Sequence, residues 1–397
     1  MKKTKILLFL VLLVFTLAGC QDENELPGDL PQFTFQLVNS ESVLLVDKDI
    51  SFDPEVEKTT VEWIEAVVPL DYDVYDIGVL VNGIDGHYPK EYGASYNYFY
   101  SLYVDGEESW TGLGDVVLTD GLEIKFVETS TLSEFDQTVD QFIYDFIASD
   151  ALDSYINAEQ MNYLVLAAVH QLNTRNYLEL DLTPYYLYDD LALTTKPLAG
   201  QTIGELIRFG VYTGVEGLDL TSYQTHLLAL DLPGNPYSLS TYLEALTLSG
   251  KQNESAVQTL IETTINDSDL LGMILSATYG YNNLDDFLDD AKTYIQANSG
   301  VSGMKFMNSY SSESTATIIM GLIAHGLNPE DETFQTDGIG LIEALMSFKE
   351  GNGFKSRLTD ENADFNFATP QAFAALVQYK IARDIWGFPP THLFAFN

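Results

Sequence analysis

The chain has 397 residues, of which 46% are apolar and 12% aromatic, and this composition excludes a disordered or collagen-like protein. The 59 acidic residues outnumber the 18 basic ones and give a formal charge of −41, so we expect no nucleic-acid partner. The single cysteine excludes intrachain disulfides and zinc sites built from several cysteines. The length is sufficient for two or more domains.

Residues 1–19 have the pattern of an export signal, with three lysines followed by the apolar stretch Ile6–Ala18, which is too short to span a bilayer. The stretch ends in Leu-Ala-Gly-Cys20, which resembles the lipobox of bacterial lipoproteins. The resemblance implies that Cys20 is lipidated and anchors the protein to the extracytoplasmic face of the cell membrane, in a bacterium of the Gram-positive type. Residues 20–32 contain the lipidated cysteine and a polar tether with prolines and a glycine.

The segment 33–129 has the pattern of a small, mixed, mostly β domain. Apolar and polar residues alternate over Phe33–Val38, and turn signals such as Asn-Gly and Asp-Gly separate the later candidates. The predicted strands are Phe33–Val38, Gly78–Val81, Tyr98–Val104 and Leu122–Val127. One helix is predicted over Thr59–Val67, with a threonine at the cap.

The segment 133–397 has helical periodicity and is predicted to be an all-α helical-repeat domain, which makes the chain an α+β multidomain protein. Ser314 is predicted to cap one helix and Pro370 to begin the last. The sequence Gly303–Phe306 recurs fifty residues later as Gly353–Ser356, and a polar loop and a helix follow each copy. The predicted helices are Met161–Leu172, Thr202–Val211, Thr241–Leu248, Ser255–Ile265, Leu270–Ala277, Leu284–Ile295, Thr315–Ile323, Gly338–Phe348 and Pro370–Arg383.

Both segments resemble known families. The runs 96–107, 112–115 and 118–124 (YNYFYSLYVDGE, GLGD and LTDGLEI) resemble the transcobalamin-like C-terminal β domain. The repeated glycine loop followed by an alanine-rich helix resembles the helix pair of squalene cyclases and prenyltransferases, in which such pairs close into an α/α toroid. The transcobalamin and intrinsic factor family combines both domains in the opposite order and holds a corrinoid between them. The resemblance therefore implies cobalamin or a related corrinoid as the ligand, with no covalent cofactor.

We accordingly expect a ligand site between the two domains. On the β side, Tyr98, Tyr100 and Trp110 would supply flat apolar area, and Gly112 would let the backbone approach the ligand. The alternative for the same tyrosines is a stripe that faces the core of the β domain. On the helical side the candidates lie at the starts of inner helices, where free N–H groups and hydroxyls meet polar ligand edges. These candidates are Tyr310, Ser314, Thr315 and Gln371.

Motifs for catalysis or metal binding are weak. Asp285, Asp286 and Asp289 have the spacing of terpene synthases, but the apolar residues between them favour the solvated side of an ordinary helix. The segment Asp47–Asp53 lacks the glycine and glutamate of a calcium loop, and the five histidines are scattered. We expect neither a metal site nor an enzyme.

Two functions remain open. The first is a membrane-tethered extracytoplasmic binding protein that captures a small molecule, by resemblance a corrinoid, for a membrane transporter. The second is a cell-surface interaction or adhesion module without a small-molecule ligand.

Overall fold

The computed structural model describes residues 30–75, 78–156, 162–182 and 221–395. These residues form two compact units, the first from 30–92 and 98–130 and the second from 93–97 and the residues from 131 onward. The larger sheets lie in the first unit and most helices in the second, so the fold is an α+β two-domain layout, as predicted. Cys20 and the predicted helix at 202–211 lie outside the described residues. None of the helices described is both long and apolar enough to cross a membrane.

The first unit, called the β unit here, contains a five-stranded sheet and a separate hairpin. Strands β1 and β7 pair in parallel and the other neighbours are antiparallel, in the order β2-β1-β7-β5-β6. The sheet consists of β1 (Gln32–Val38), β2 (Leu44–Ser51), β5 (Tyr98–Val104), β6 (Glu107–Glu108) and β7 (Glu123–Ser130). The hairpin consists of β3 (Leu70–Tyr75) and β4 (Gly78–Ile84), and helix α1 is Thr60–Glu65.

The alternation in β1 gives this sheet one buried face. Phe33, Phe35 and Leu37 are fully buried, because alternate side chains of a strand point to the same side. On the other face, the Thr34 hydroxyl donates to Asp49 Oδ1 at 2.9 Å. Most of the segment compared with a calcium loop is therefore part of edge strand β2, where Asp47 and Asp49 accept hydrogen bonds from β1.

Helix α1 begins as predicted. Thr59 is its N-cap and forms a capping box with Glu62, in which each side chain accepts the other residue's backbone N–H. Ile64 is fully buried and fixes the helix on the sheet.

The second unit, called the helical unit here, consists of helices with two small sheets between them. The helices are α2 (Glu134–Ala148), α3 (Ala151–Tyr155), α4 (Tyr163–Thr174), α5 (Thr221–Ala229), α6 (Pro236–Leu248), α7 (Glu254–Ile261), α8 (Ser268–Ala277), α9 (Asp285–Asn298), α10 (Ser312–Ala324), α11 (Leu341–Met346) and α12 (Ala368–Arg383). Helices α4, α12, α10, α8 and α6 pack side by side in that order and form an inner row. Helices α2, α11, α9 and α7 pack behind members of this row.

The two small sheets, which the sequence did not predict, explain the repeated glycine loop. Strands β8 (Ser299–Gly300), β9 (Gly303–Phe306) and β10 (Ser309–Tyr310) precede α10, and β11 (Lys349–Glu350) and β12 (Gly353–Phe354) precede α12. The Met304 N–H donates to Thr315 Oγ1, and the Phe354 N–H donates to Thr369 Oγ1, both at 2.9 Å. Each bond ties a hairpin to the helix that follows it.

The glycines of the repeat permit this contact. A Cβ atom on Gly303 would lie 2.4 Å from Thr315 Oγ1, and one on Gly353 would lie 2.8 Å from Thr369 Oγ1. Gly303 also has a φ of +86°, which disfavours other residues. Thr315 therefore corresponds to Thr369.

Several predicted helix starts are wrong by two to five residues, including those at Thr241, Gly338, Thr315 and Pro370. The N-cap of α10 is Ser311, which accepts the Ser314 N–H, and Ser314 itself lies inside the helix. Helix α12 begins at Ala368, two residues before Pro370. Helix α10 ends as predicted, because Gly326 follows its C-cap with a φ of +70°.

Candidate functional site

The inner row of helices encloses a cavity of about 360 Å³. On α8, α10 and α12 the residues that line it recur at intervals of three, four and seven, which places them on one face of each helix. The helical residues that line the cavity are Tyr163 and Leu164 of α4; Tyr237, Ser240, Thr241 and Glu244 of α6; Asp269, Met273 and Ser276 of α8; Glu313, Thr317 and Met320 of α10; and Gln371 and Gln378 of α12. Their side chains are largely polar, although the surrounding faces of these helices are apolar.

The segment after α12 completes the lining through His392, Leu393 and Phe394. Two glutamines hold this segment in place. Gln378 Nε2 donates to the Thr391 carbonyl at 2.6 Å, and Gln171 Nε2 donates to the Leu393 carbonyl at 3.0 Å. This wall is therefore fixed by buried hydrogen bonds.

Three lining residues carry carboxylates, and their surroundings differ. Glu244 Oε1 lies 3.3 Å from His392 Nε2. Glu313 Oε2 lies 3.4 Å from Arg357 Nη1 and accepts the hydroxyls of Ser311 and Ser312. Asp269 has no ion-pair partner in the described part of the chain. None of the described residues that line the cavity is a lysine or an arginine.

Several polar atoms in this wall are buried without a hydrogen-bond partner among the described residues. They are Asp269 Oδ1, Gln371 Oε1 and Gln378 Oε1, and Ser314 Oγ lies just behind the lining. Gln378 is only 1% exposed, and its amide orientation is fixed because Nε2 donates to the carbonyls of Met320 and Thr391. The Gln378 oxygen is therefore a fixed acceptor without a donor.

Burial raises the pKa of Asp269, and the charges of Asp267 and Glu313 act in the same direction. The nearby Ser314 hydroxyl and the more distant Arg357 lower this pKa by less. Ser314 and Asp269 do not reach hydrogen-bond geometry, so both keep an unpartnered oxygen. Among the described residues, the ionised Asp269 carboxylate is thus poorly compensated.

The four helical residues predicted for the site have different positions. Gln371 lines the cavity, and Ser314 is fully buried beside Asp269. Thr315 is occupied by the bond to the β9 backbone described above. Tyr310 lies on β10 with its ring 5.5 Å from Lys305 Nζ, and it packs against β8. Only Gln371 of these four residues faces the cavity.

The four residues predicted on the β side are parts of the β unit's own packing or surface. Tyr98 is buried, and half-buried Tyr100 makes an edge contact with Phe126 at 6.4 Å between centroids. Trp110 is 93% exposed. A Cβ on Gly112 would lie 3.0 Å from the Val79 backbone nitrogen, so this glycine permits close packing against β4. Tyr100 thus packs against the core of the β unit, and the described residues that line the cavity all belong to the helical unit.

The aspartates with terpene-synthase spacing lie on the exposed side of α9. Asp285, Asp286 and Asp289 are exposed, whereas Phe287 is buried in the helical core. Among the described residues, no group of three or more histidine, cysteine, aspartate or glutamate side chains is arranged to hold a metal ion.

The lining residues that the sequence analysis missed are Glu244, Asp269, Glu313, Gln378 and His392. A signal was present in the recurring intervals of the polar residues, such as Asp269, Met273 and Ser276 on α8 and Glu313, Thr317 and Met320 on α10. The first member of each set is an acidic residue at the second position of its helix. Because acidic residues are common in a helix's first turn, this signal alone would not have identified a site.

A second buried polar cluster, between α2 and α12, has its charges paired. We call it the α2–α12 ion cluster; it contains Lys380, Arg383, Asp136, Asp140 and Asp384. Lys380 is fully buried, with Nζ 2.9 Å from Asp140 Oδ2 and 3.0 Å from Asp384 Oδ2. Arg383 Nη2 lies 2.9 Å from both Asp140 oxygens. Burial favours a raised pKa for Asp384, but Lys380 and Arg383 outweigh it and hold that pKa below its usual value.

Comparison with known proteins adds little. No protein-family model and no curated protein matches the chain. A solved structure of a candidate metal-binding protein from Ruminococcus gnavus ATCC 29149 is similar at 14% sequence identity, covering 26% of this chain and 99% of that one, with a TM-score of 0.21. Similarity of this size carries no argument about function.

Proposed function

We propose that the protein is a lipid-anchored extracytoplasmic binding protein that captures a small molecule in the cavity of its helical unit, for delivery to a membrane transporter. The observation that carries this proposal is the set of unpartnered acceptors in the cavity wall: Asp269 Oδ1, Gln371 Oε1 and Gln378 Oε1.

Such acceptors are costly. A buried polar atom that loses its partner costs about 1–3 kcal/mol, so folded proteins rarely retain one without a reason. Three of them belong to side chains that line the same cavity. A ligand with N–H or O–H donors would satisfy them, whereas packing of the helices alone does not require them.

The size of the cavity limits the ligand. Its volume of about 360 Å³ lies near the lower end of the range of roughly 300–1,000 Å³ for small-molecule pockets. At roughly 30 Å³ per water molecule, it has room for about a dozen waters, or for a metabolite with a similar number of non-hydrogen atoms. A whole corrinoid is several times larger, so the cavity favours a smaller ligand than the resemblance implies. The corrinoid is retained as the second candidate ligand.

Ligand retention tests the binding proposal. We would purify the full chain from membranes, record its visible spectrum and measure its intact mass under non-denaturing conditions. A bound mass without visible absorbance supports a small ligand, and a red chromophore supports the corrinoid. Loss of the bound mass in Ser276→Leu, which fills the cavity without changing its charge, would locate the ligand there. Retention of the ligand in this variant would contradict the proposed site.

The anchor is tested separately. Cys20→Ala is expected to release the protein into the medium or to leave the precursor unprocessed, because cysteine is the lipobox residue that accepts the thioether lipid. Fractionation and detergent phase partitioning measure both outcomes. A mutant that is processed and still partitions into detergent would contradict lipidation at Cys20.

An adhesion or interaction module is the second candidate function, favoured by exposed aromatic side chains before and after β5. Tyr96 is 97% exposed and Trp110 93%, and large exposed aromatic side chains are enriched at protein interfaces. Cells carrying Tyr96→Ala with Trp110→Ala should then attach less well to a protein-coated surface. Unchanged attachment, with the ligand still bound, would favour the binding protein.

A further inference from the structure

The structure assigns a chemical class to this ligand: we propose that the cavity binds a small organic cation with at least two N–H donors, such as a diamine or a guanidino compound. The inference rests on the proposed function and specifies the ligand of the same cavity. In this proposal Asp269 is the counter-ion of the ligand, and the two glutamine oxygens accept hydrogen bonds from its N–H groups.

The charge of the residues that line the cavity disfavours anionic ligands. Three carboxylates line the cavity, and none of the other described lining residues is a lysine or an arginine. An anionic ligand would face these carboxylates without a compensating group, which is unfavourable at low local dielectric. Glu244 and Glu313 already lie within ion-pair distance of His392 and Arg357, whereas Asp269 has no ion-pair partner among the described residues. A cationic ligand would compensate the negative charge of Asp269.

The hydrogen-bond inventory requires donors on the ligand. The unpartnered lining atoms are all acceptors: one carboxylate oxygen and two amide oxygens. The Gln378 oxygen cannot be exchanged for its amide nitrogen without losing the bonds to Met320 and Thr391. An ammonium or guanidinium group supplies several N–H donors and a positive charge together.

Aromatic rings supply the apolar part of the lining. Tyr163 and Phe394 lie with ring centroids 6.1 Å apart, and Tyr237 lines the cavity from α6. The Tyr237 hydroxyl donates to Asp267, which fixes the phenol group. Faces of aromatic rings attract cations and cover the methylene groups of alkyl amines.

Neither the helix dipole nor a metal ion accounts for this set of polar atoms. Stabilisation of the dipole would favour an acidic residue at the start of α8 or α10, but it requires neither Gln378 nor the missing partner of Asp269. A metal ion would need three or more suitable ligands, and no such group occurs among the described residues.

Calorimetric titration of the full chain tests the class with probes of similar length. We would use putrescine as a diammonium, 1,4-butanediol as its neutral isostere, succinate as a dianion, and cyanocobalamin as the corrinoid. Putrescine is expected to bind about tenfold or more tightly than butanediol, with no binding of succinate. Asp269→Asn should weaken putrescine about tenfold or more, because the counter-ion is lost. Asp286→Asn on the exposed side of α9 is the matched control and should leave putrescine binding unchanged.

The outcomes separate this inference from the proposed function. If butanediol or succinate binds as tightly as putrescine, and this binding is lost in Ser276→Leu, the ligand is not specifically a cation. That result would overturn the further inference but support the proposed binding protein. Binding of cyanocobalamin alone would do the same. If no probe binds, the mass retained from membranes decides: an amine or guanidino compound supports the inference and another compound overturns it. No retained mass and no probe binding would overturn both proposals.

Discussion

The helical unit contains two sets of buried polar side chains, and they differ in how completely they are paired. In the α2–α12 ion cluster, Lys380 and Arg383 each contact two or more aspartates at ion-pair distance. In the cavity wall, Asp269 and two glutamines keep unpartnered oxygens. A paired cluster can be explained by its role in joining two helices, whereas oxygens without a partner among the described residues support the proposed ligand. Polarity and burial alone would not have separated these two cases.

Lys380→Met tests the α2–α12 ion cluster and should give the largest loss in the free energy of unfolding. Removing one partner of a buried ion pair leaves the other charge uncompensated and costs about 3–5 kcal/mol. Asp384 would lose its direct contact with Lys380, and Asp140 would retain only Arg383. Urea denaturation measures the free energy of unfolding.

Lys292→Met is the matched control, because its partner Asp289 is largely exposed. Exposed ion pairs contribute less than about 1 kcal/mol, so this variant should unfold near the wild-type midpoint. Equal losses in Lys292→Met and Lys380→Met would show that the ion cluster contributes no more than a surface pair.

Thr315→Val and Thr369→Val test whether the buried, uncharged hydrogen bonds between hairpin and helix also stabilise the helical unit. Each change leaves a backbone N–H without its acceptor, at Met304 or Phe354, and should lower the free energy of unfolding by about 1–3 kcal/mol. Similar losses at both sites would confirm that they are equivalent. Thr293→Val, at an exposed hydroxyl on α9, should change little. A large loss at only one of the two sites would contradict the equivalence of the hairpins.

Asp269→Asn tests a carboxylate of the cavity wall whose Oδ1 has no partner among the described residues. It should raise the free energy of unfolding, by less than Lys380→Met lowers it. Because burial raises the pKa of Asp269, the ionised carboxylate destabilises the folded state at neutral pH, and its neutral isostere should unfold at higher urea. The advantage should shrink as the pH falls from neutral to about 4, because the folded wild-type protein takes up a proton before the unfolded chain does. A destabilised Asp269→Asn that binds no ligand would show a structural role for this carboxylate.

Gln371→Leu tests an uncharged acceptor of the cavity wall and is expected to have the smallest effect on the free energy of unfolding. Its amide oxygen has no partner among the described residues, so the substitution removes an unsatisfied acceptor and no hydrogen bond between described residues. It should raise the free energy of unfolding by about 1 kcal/mol, the lower end of the cost of such an acceptor. The same variant should lose ligand affinity in the titration above. A marked loss of stability would mean that the cavity wall is held together by this side chain.

The sequence predicted those elements whose determinants are local. The alternation of β1, the aromatic strand β5 and the capping box at Thr59 are set by neighbours in the chain, and all were found. Edge strand β2 was missed because its charged residues and mostly exposed pattern hide the alternation. Helix α2 was also missed, although Val139, Phe142, Ile143 and Phe146 have helical spacing.

The candidate site was predicted only in part, because its residues come from five helices and a following segment. The rule that places ligands at the starts of inner helices led to Gln371, but it also selected Ser314 and Thr315 one or two positions from the lining residue Glu313. On a helix, neighbouring positions point about 100° apart, so a small error in the helix start selects a different face. The pairing of Gly303 with Thr315 could be recognised only after the hairpins were seen.

The bond between each hairpin and its helix has a consequence for how such a protein can change its ligand. Thr315 and Thr369 fix the helix starts through their own loops, and neither residue lines the cavity. Glu313, Thr317 and Gln371 lie within two positions of them and face the cavity. Mutations at the facing positions can therefore alter recognition without loosening the bonds that define the repeat. Selection can act on the two sets of residues almost independently, so the repeat can persist while the specificity of the cavity diverges.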